Sequence, residues 1–199
     1  MRAYDLVVDP ERGLCGLTTE FVRGLDLRER LRRASPFALN VAVEIALGVA
    51  ESLEYAHTRG MIHGDLNPER ILLPGDGVPV LTGFGESPDP QRNFADDIQA
   101  LGAILYWMLT GQVPAREGEE WVSPRRLNQG VPKALEGISL KALGVGYAST
   151  GELVTDLRAV KEALRQGGTL SWSPLAESAP GSGASGIPCR DARRCSCCK

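Results

Sequence analysis

The segment from Phe94 to Leu109 constrains the possible folds of this chain more than any other segment. After Asp96 and Asp97, almost every residue in it is apolar. A helix that is hydrophobic on all sides has no face for water, so it must be buried among other elements. The two aspartates fall in its first turn, where they suit the positive end of the helix dipole. Thr110-Gly111 then closes the helix. The sequence therefore predicts a globular domain that contains one fully buried helix.

Four further helices are predicted from the spacing of apolar residues. They cover a short charged segment, a long segment that starts at Ser35-Pro36, and two segments late in the chain: 26–33, 35–59, 132–143 and 151–164. Gly60 ends the long helix, and Ser149 or Thr150 is a ready N-cap for the last one. On the first helix, the arginines are interpreted as a solvated face rather than an anion site: Arg28, Arg30, Arg32 and Arg33.

Short strands are predicted in two pairs, and both pairs have turn-forming residues between their members. The first pair is a hairpin of 4–8 and 14–19, and the second pair is 70–73 and 79–82, after a loop from Met61 to Arg70. Together with the helices, these strands predict an α+β fold that is mainly α.

Composition excludes several functional classes. The chain has 199 residues, 43% of them hydrophobic, and a formal net charge of −3, so no broad basic field suggests nucleic acid or lipid as a partner. No apolar run is long enough for a secretory signal or a membrane span. Four of the five cysteines crowd into the last residues. The body therefore has no disulfide framework, which favours a reducing, cytoplasmic location.

Two short motifs carry a resemblance to a known family. Residues 63–70 read His-Gly-Asp-Leu-Asn-Pro-Glu-Arg, and 81–85 read Leu-Thr-Gly-Phe-Gly. The first resembles the catalytic loop of protein kinases, His-Arg-Asp-Leu-Lys-Pro-Glu-Asn, and the second stands where the family has Asp-Phe-Gly. The apolar helix is similar to the central buried helix of the family's large lobe. The resemblance covers roughly residues 4 to 165 and is closest to bacterial serine/threonine kinases.

The resemblance implies three parts. Residues 1–24 are expected to form a remnant of the small-lobe sheet and the hinge, where Glu20, Phe21 and Val22 would face a nucleotide. Residues 25–166 are expected to form the large helical lobe. Residues 167–199, rich in Gly, Ser and Pro, are expected to be a disordered linker and a basic cysteine-bearing tail. A soft-metal site in that tail is the less favoured interpretation.

The positions that would hold magnesium differ from the family pattern. Kinases bind Mg²⁺ through an Asp and an Asn, and these positions are Gly83 and Arg70 here. A bare glycine and a fixed positive charge disfavour a divalent cation. We therefore expect no metal and no required cofactor, and ATP binding without magnesium stays open. Phe84 and Gly85 match the family and would border the nucleotide.

The remaining loop residues have both catalytic and structural interpretations. Asp65 stands at the position of the catalytic base, and Asn67 replaces the lysine that would steady the transferred phosphoryl group. A structural role for Asp65, bonding loop amides, is favoured over a catalytic one. By resemblance, His63 packs inward and Asp97 receives amide hydrogens of the loop, so both are interpreted as structural.

The leading hypothesis is a pseudokinase that binds another protein, either an active kinase or a chain that supplies small-lobe strands. The glycine-rich phosphate loop and its lysine have no counterpart in the sequence, which agrees with this interpretation. The first alternative is an ATP-dependent phosphotransferase, either a serine/threonine protein kinase or an enzyme of the aminoglycoside or choline kinase type. The sequence His-Gly-Asp-Leu also resembles the catalytic loop of aminoglycoside and choline kinases. The second is a kinase remnant without a role.

Overall fold

A computed structural model of the chain describes residues 3–9, 11–12, 14–75, 77–84 and 91–167. Helices dominate this part, and three small antiparallel sheets accompany them. The prediction of an α+β, mainly α fold is therefore confirmed. The predictions for Gly85, for the linker and for the cysteine-bearing tail concern residues outside these ranges.

Helix α3 (Phe94–Thr110) is the central element: most of its residues are buried, and one stripe that includes Gln99, Ala103 and Trp107 is half-buried. Asn93 caps its start, because the Asn93 side chain accepts from the amides of Ala95 and Asp96 while the Asp96 carboxylate accepts from the Asn93 amide. Gly111, with φ of 78°, ends it in the left-handed conformation. The predicted buried helix is confirmed.

Three helices pack around α3 or against its neighbours. Helices α2 (Leu39–His57) and α5 (Lys133–Leu143) both contact α3, and α6 (Thr150–Gly167) packs along α2. At Gly102 the α3–α5 approach is so close that an added Cβ atom would lie 2.6 Å from the Cβ of Ala142.

Helix α2 begins four residues later than the sequence suggested. Residues 35–38 are not helical, because the Phe37 amide donates to the carbonyl of Met108 near the end of α3 at 2.8 Å and the Phe37 side chain is buried. This tertiary contact overrides the start signal at Ser35-Pro36.

The short helix α1 (Leu27–Arg33) is capped by Asp26, whose Oδ1 accepts from the Glu29 amide at 2.7 Å. Its leucines are buried as predicted. The interpretation of all four arginines as a solvated face is wrong for Arg30, which is only 8% exposed. This side chain lies on the same face as Leu27, three residues earlier on the helix. A further short helix is α4 (Pro124–Leu127).

The strands form three separate sheets. Strands β1 (Ala3–Asp9) and β2 (Leu14–Thr19) make an antiparallel hairpin, as predicted. Strands β3 (Gly24–Asp26), β4 (Ile71–Pro74) and β5 (Val80–Leu81) form a second sheet in that order. The second predicted pair, β4 and β5, is therefore confirmed.

A third sheet joins β6 (Arg116–Glu117) to β7 (Glu120–Trp121). Sequence analysis missed this pair and β3, because strands of two or three residues are too short to show alternation. Within the described part of the chain, no helix is long and apolar enough to cross a membrane.

Candidate functional site

The loop that carries the kinase-like motif links the end of α2 to β4. It finishes in a 3₁₀ turn (Pro68–Arg70) capped by Asn67, whose side-chain oxygen accepts from the Glu69 amide at 3.0 Å. The Asn67 amide group also donates to the carbonyl of Asp65 at 3.1 Å. Both polar atoms of the Asn67 side chain therefore form hydrogen bonds that stabilise the conformation of the loop.

Asp97, in the first turn of α3, holds the loop through hydrogen bonds to the loop backbone. Its carboxylate accepts from the backbone amides of His63 and Gly64 and from Nε2 of His57, each at 2.8 Å, and it is 1% exposed. Burial by itself would raise the pKa of Asp97, but the hydrogen bonds from His57, Gly64 and His63 outweigh burial and lower the pKa below its ordinary value. A charged carboxylate therefore holds the loop backbone to the central helix.

His57, which the sequence analysis did not select, joins three helices through this carboxylate. Its Nε2 donates to the Asp97 carboxylate, and its Nδ1 is hydrogen-bonded to the Thr150 hydroxyl at 2.7 Å. Its ring also lies 4.5 Å from that of Phe94, centroid to centroid. His57 ends α2, Asp97 belongs to α3 and Thr150 begins α6, so one imidazole ring ties the three helices together. The sequence holds only two histidines, which was the one available signal.

His63 ties the loop to the exit of β5. It is 0% exposed, its Nε2 donates to the carbonyl of Thr82 at 3.0 Å, and its ring lies 4.7 Å from that of Phe84. Burial lowers the pKa of His63 below its ordinary value, although the negative charge of Asp97 acts in the opposite direction. A neutral imidazole at this position supports the packing of the loop.

Arg70 and Gly83 meet at the outer side of the loop. Gly83 has φ of +83°, and a Cβ atom there would lie 2.7 Å from Nη1 and 3.0 Å from Cζ of Arg70. The Arg70 carbonyl accepts from the amide of Thr82 at 2.9 Å, and this hydrogen bond places Arg70 beside the backbone of Thr82 and Gly83. The guanidinium thus fills the space that any side chain at position 83 would need.

Asp65 completes this outer group. Its Oδ2 lies 3.5 Å from Nη2 of Arg70, a long ion pair in which the Asp65 side chain is 44% exposed and that of Arg70 31% exposed. The structure therefore brings together three of the positions that the sequence analysis selected, Asp65, Arg70 and Gly83.

These residues do not fit a magnesium ion. Mg²⁺ requires hard oxygen ligands in a near-octahedral arrangement, and here the Asp65 carboxylate faces a guanidinium. Across the ranges that the structure describes, no three His, Cys, Asp or Glu side chains lie close enough together to hold a metal ion.

The predicted hinge lies just before β3. Phe21 is 85% exposed, Glu20 is exposed and Val22 is half-buried. On the other side of the loop, Phe84 is partly exposed beside His63. No described contact joins the hinge residues to Arg70 or Asp65.

Comparison with known proteins shows which proteins this chain is similar to. The protein kinase domain family matches residues 1–96, from the β1–β2 hairpin to the start of α3. A probable serine/threonine-protein kinase of Clostridium perfringens, CPE1738, is 27% identical over 187 residues, which cover 73% of this chain and 27% of the relative. PknB of Lactococcus lactis, a probable serine/threonine-protein kinase, is 28% identical over 76% of this chain and 31% of its own length.

The serine/threonine-protein kinase PkaB of Streptomyces coelicolor is 33% identical over 61% of this chain and 37% of its own length. The chain therefore spans well under half the length of these curated relatives. The fold, the loop and these matches together support a protein kinase-like superfamily for the chain.

Proposed function

We propose that this chain is a catalytically inactive kinase domain, a pseudokinase, which acts as a binding or regulatory module for another protein. The observation that carries the proposal is the Arg70 guanidinium lying against Gly83. In active kinases, an Asp and an Asn at these two positions hold the Mg²⁺ ions that bridge the nucleotide phosphates. Both oxygen ligands are replaced, and a cation stands in their place.

Electrostatics makes this exchange costly for magnesium. A unit charge and a divalent cation about 4 Å apart repel each other by roughly 2 to 8 kcal/mol between the dielectric limits of water and a protein surface. Phosphoryl transfer depends on the metal to neutralise charge that develops on the phosphoryl group. Asp65 alone, as a base position paired with Arg70, supplies no such neutralisation.

The test is phosphate transfer by the purified chain, measured with radiolabelled ATP and Mg²⁺ or Mn²⁺ on the chain itself and on a generic basic protein. We expect no incorporation above the level of a heat-denatured sample. Metal-dependent incorporation by the unmodified chain that Asp65→Asn abolishes would contradict the proposal.

A pair of variants tests the steric part of the argument. Gly83→Asp alone should not create a metal site, because its Cβ would collide with Arg70. The double variant Arg70→Asn with Gly83→Asp removes the guanidinium and supplies both family ligands. We expect that only the double variant shows a Mg²⁺-dependent rise in melting temperature with ATP.

The proposed partner is another protein, an active kinase or a chain that adds strands beside the β1–β2 hairpin, and the proposed location is the cytoplasm. The hairpin forms a two-stranded sheet among the described residues, and exposed strand edges readily pair with other strands. Phe21 presents a large apolar side chain to solvent close by in sequence. Light scattering after size-exclusion chromatography should show self-association; a monomer at all concentrations would weaken this part of the proposal.

A further inference from the structure

We infer that strand β2 of the hairpin pairs with β2 of a second copy of this chain, so that two hairpins form one four-stranded antiparallel sheet about a two-fold axis. The inference rests on the proposed function, because it names the protein partner of that binding module. It goes further by assigning one edge of the hairpin, one partner and an assembly that stops at two copies.

The hairpin has little support from the rest of the chain. In the part of the chain that the structure describes, β1 and β2 contact each other far more than any helix or other strand. A two-stranded hairpin alone is only marginally stable in water, and further strands or a packed helix are needed for independent stability. Val8 in β1 and Phe21 just after β2 are 58% and 85% exposed. The hairpin therefore offers backbone groups and apolar surface to a partner.

The two edges of the hairpin differ in their protection. Strand β1 carries Asp5 and Asp9, and one extra residue, Tyr4, interrupts its register with β2. Charges and bulges are features that keep an edge strand from pairing with other chains. Strand β2 (Leu14–Thr19) has neither a charged residue nor a proline. The edge of β2 is therefore the one that accepts a further strand.

A second copy is the partner that these edges fit. Antiparallel pairing of β2 with β2 brings together two uncharged strands whose outward N–H and C=O groups can bond across the interface. Pairing of β1 with β1 would instead place Asp5 and Asp9 of both copies on facing strands, where like charges are destabilising. Once the β2 strands are paired, both outer edges of the sheet are β1. The assembly therefore closes at a dimer and does not grow into a filament.

Sedimentation equilibrium of the full chain over a range of concentrations tests the inference with a charged variant of β2. Leu14 lies opposite Asp9 and Thr18 lies opposite Asp5 in the hairpin register. The double variant Leu14→Lys with Thr18→Lys therefore adds opposite-charge pairs within each hairpin, while it places like charges on the two facing β2 strands. We expect the unmodified chain to dimerise and the lysine variant to dimerise about tenfold more weakly, or not at all.

Two further variants separate this effect from charge in general and from misfolding. Val113→Lys with Gln166→Lys adds the same two charges at exposed positions outside the hairpin, and should leave dimerisation unchanged. Leu14→Glu with Thr18→Glu should dimerise weakly alone and should form heterodimers when it is mixed with the lysine variant. Misfolded hairpins could not produce this recovery, because it requires β2 strands that pair.

Each outcome decides the matter. Heterodimers in the mixture support pairing through β2. A monomer at every concentration, assemblies of more than two copies, unchanged dimerisation of the lysine variant, or no recovery in the mixture would overturn the inference. A one-to-one complex with an added kinase domain, without self-association, would also overturn it, since the partner would then be a different protein.

The two proposals fail separately. A chain that stays monomeric and transfers no phosphate refutes the pairing of two copies and leaves the pseudokinase assignment intact. Phosphate transfer that requires Mg²⁺ and Asp65 refutes the assignment itself, whether or not the chain dimerises.

Discussion

The inner and outer sides of the same loop differ in their chemistry. On the inner side, Asp97 receives two loop amides and the His57 imidazole at 2.8 Å, all buried against the central helix. On the outer side, Arg70 Nη2 and Asp65 Oδ2 lie 3.5 Å apart, and the two side chains are 31% and 44% exposed. His63 and Asp97 on the inner side match the kinase motif, whereas on the outer side Asp65 is retained and Arg70 departs from it. The difference teaches that the shape of a kinase loop can be held independently of the groups that perform its chemistry.

Replacing the inner anchor should have the largest effect on stability. Asp97→Ala leaves the amides of His63 and Gly64 and the Nε2 donor of His57 without their acceptor inside the protein. We expect a loss of roughly 3 to 5 kcal/mol in the free energy of unfolding. Urea denaturation followed by circular dichroism measures it. A loss below about 1 kcal/mol would mean that the inner side does not hold the loop.

Gly83→Ala should have the next largest effect, and it separates backbone strain from the contact with Arg70. A left-handed residue other than glycine costs about 1 to 2 kcal/mol, and here the new Cβ would also collide with the guanidinium. Gly60→Ala is the matched control, because Gly60 has φ of +76° and nothing within 4 Å of an added Cβ. We expect the Gly83 variant to be the less stable of the two. Equal losses in denaturation experiments would show that Arg70 moves aside freely.

The pH dependence of stability should report on His63. Because burial lowers the pKa of this imidazole in the folded chain, the unfolded chain binds more protons as the pH falls below about 6.5. Stability from this group is fully present above that pH and is lost as the pH decreases toward the folded pKa. The slope from one residue cannot exceed about 1.4 kcal/mol per pH unit. Comparison with His63→Gln by thermal denaturation from pH 7.5 to 5 should show a shallower slope in the variant.

Asp65→Asn should change stability least, by under about 1 kcal/mol, since its ion pair with Arg70 is long and the Asp65 side chain is 44% exposed. Urea denaturation measures this loss beside that of Asp97→Ala. Equal losses in the two variants would show that the outer side holds the loop as firmly as the inner side.

Local sequence patterns predicted the elements that depend on neighbouring residues. The apolar run of α3 required burial, and Gly111 marked its end; both appear in the structure. The positions of Arg70 and Gly83 in the motif also indicated where the outer group departs from the family pattern, in which Asp65 is retained. Other predictions failed where a distant contact intervened. The Phe37 amide bonds to the Met108 carbonyl and delays the start of α2, and Arg30 is buried although it sits in a charged segment.

The sequence by itself determined that a buried helix stands at the centre and that an arginine and a glycine stand at the two positions where the kinase motif has Asn and Asp. Only the tertiary structure decided that these two residues touch, so that the guanidinium occupies the space of the missing side chain. It also decided that His57 joins Asp97 to Thr150, a residue 93 positions away. The physical reason is that burial periodicity is a property of neighbouring residues, whereas a hydrogen bond or a steric contact between distant residues exists only once the helices have packed.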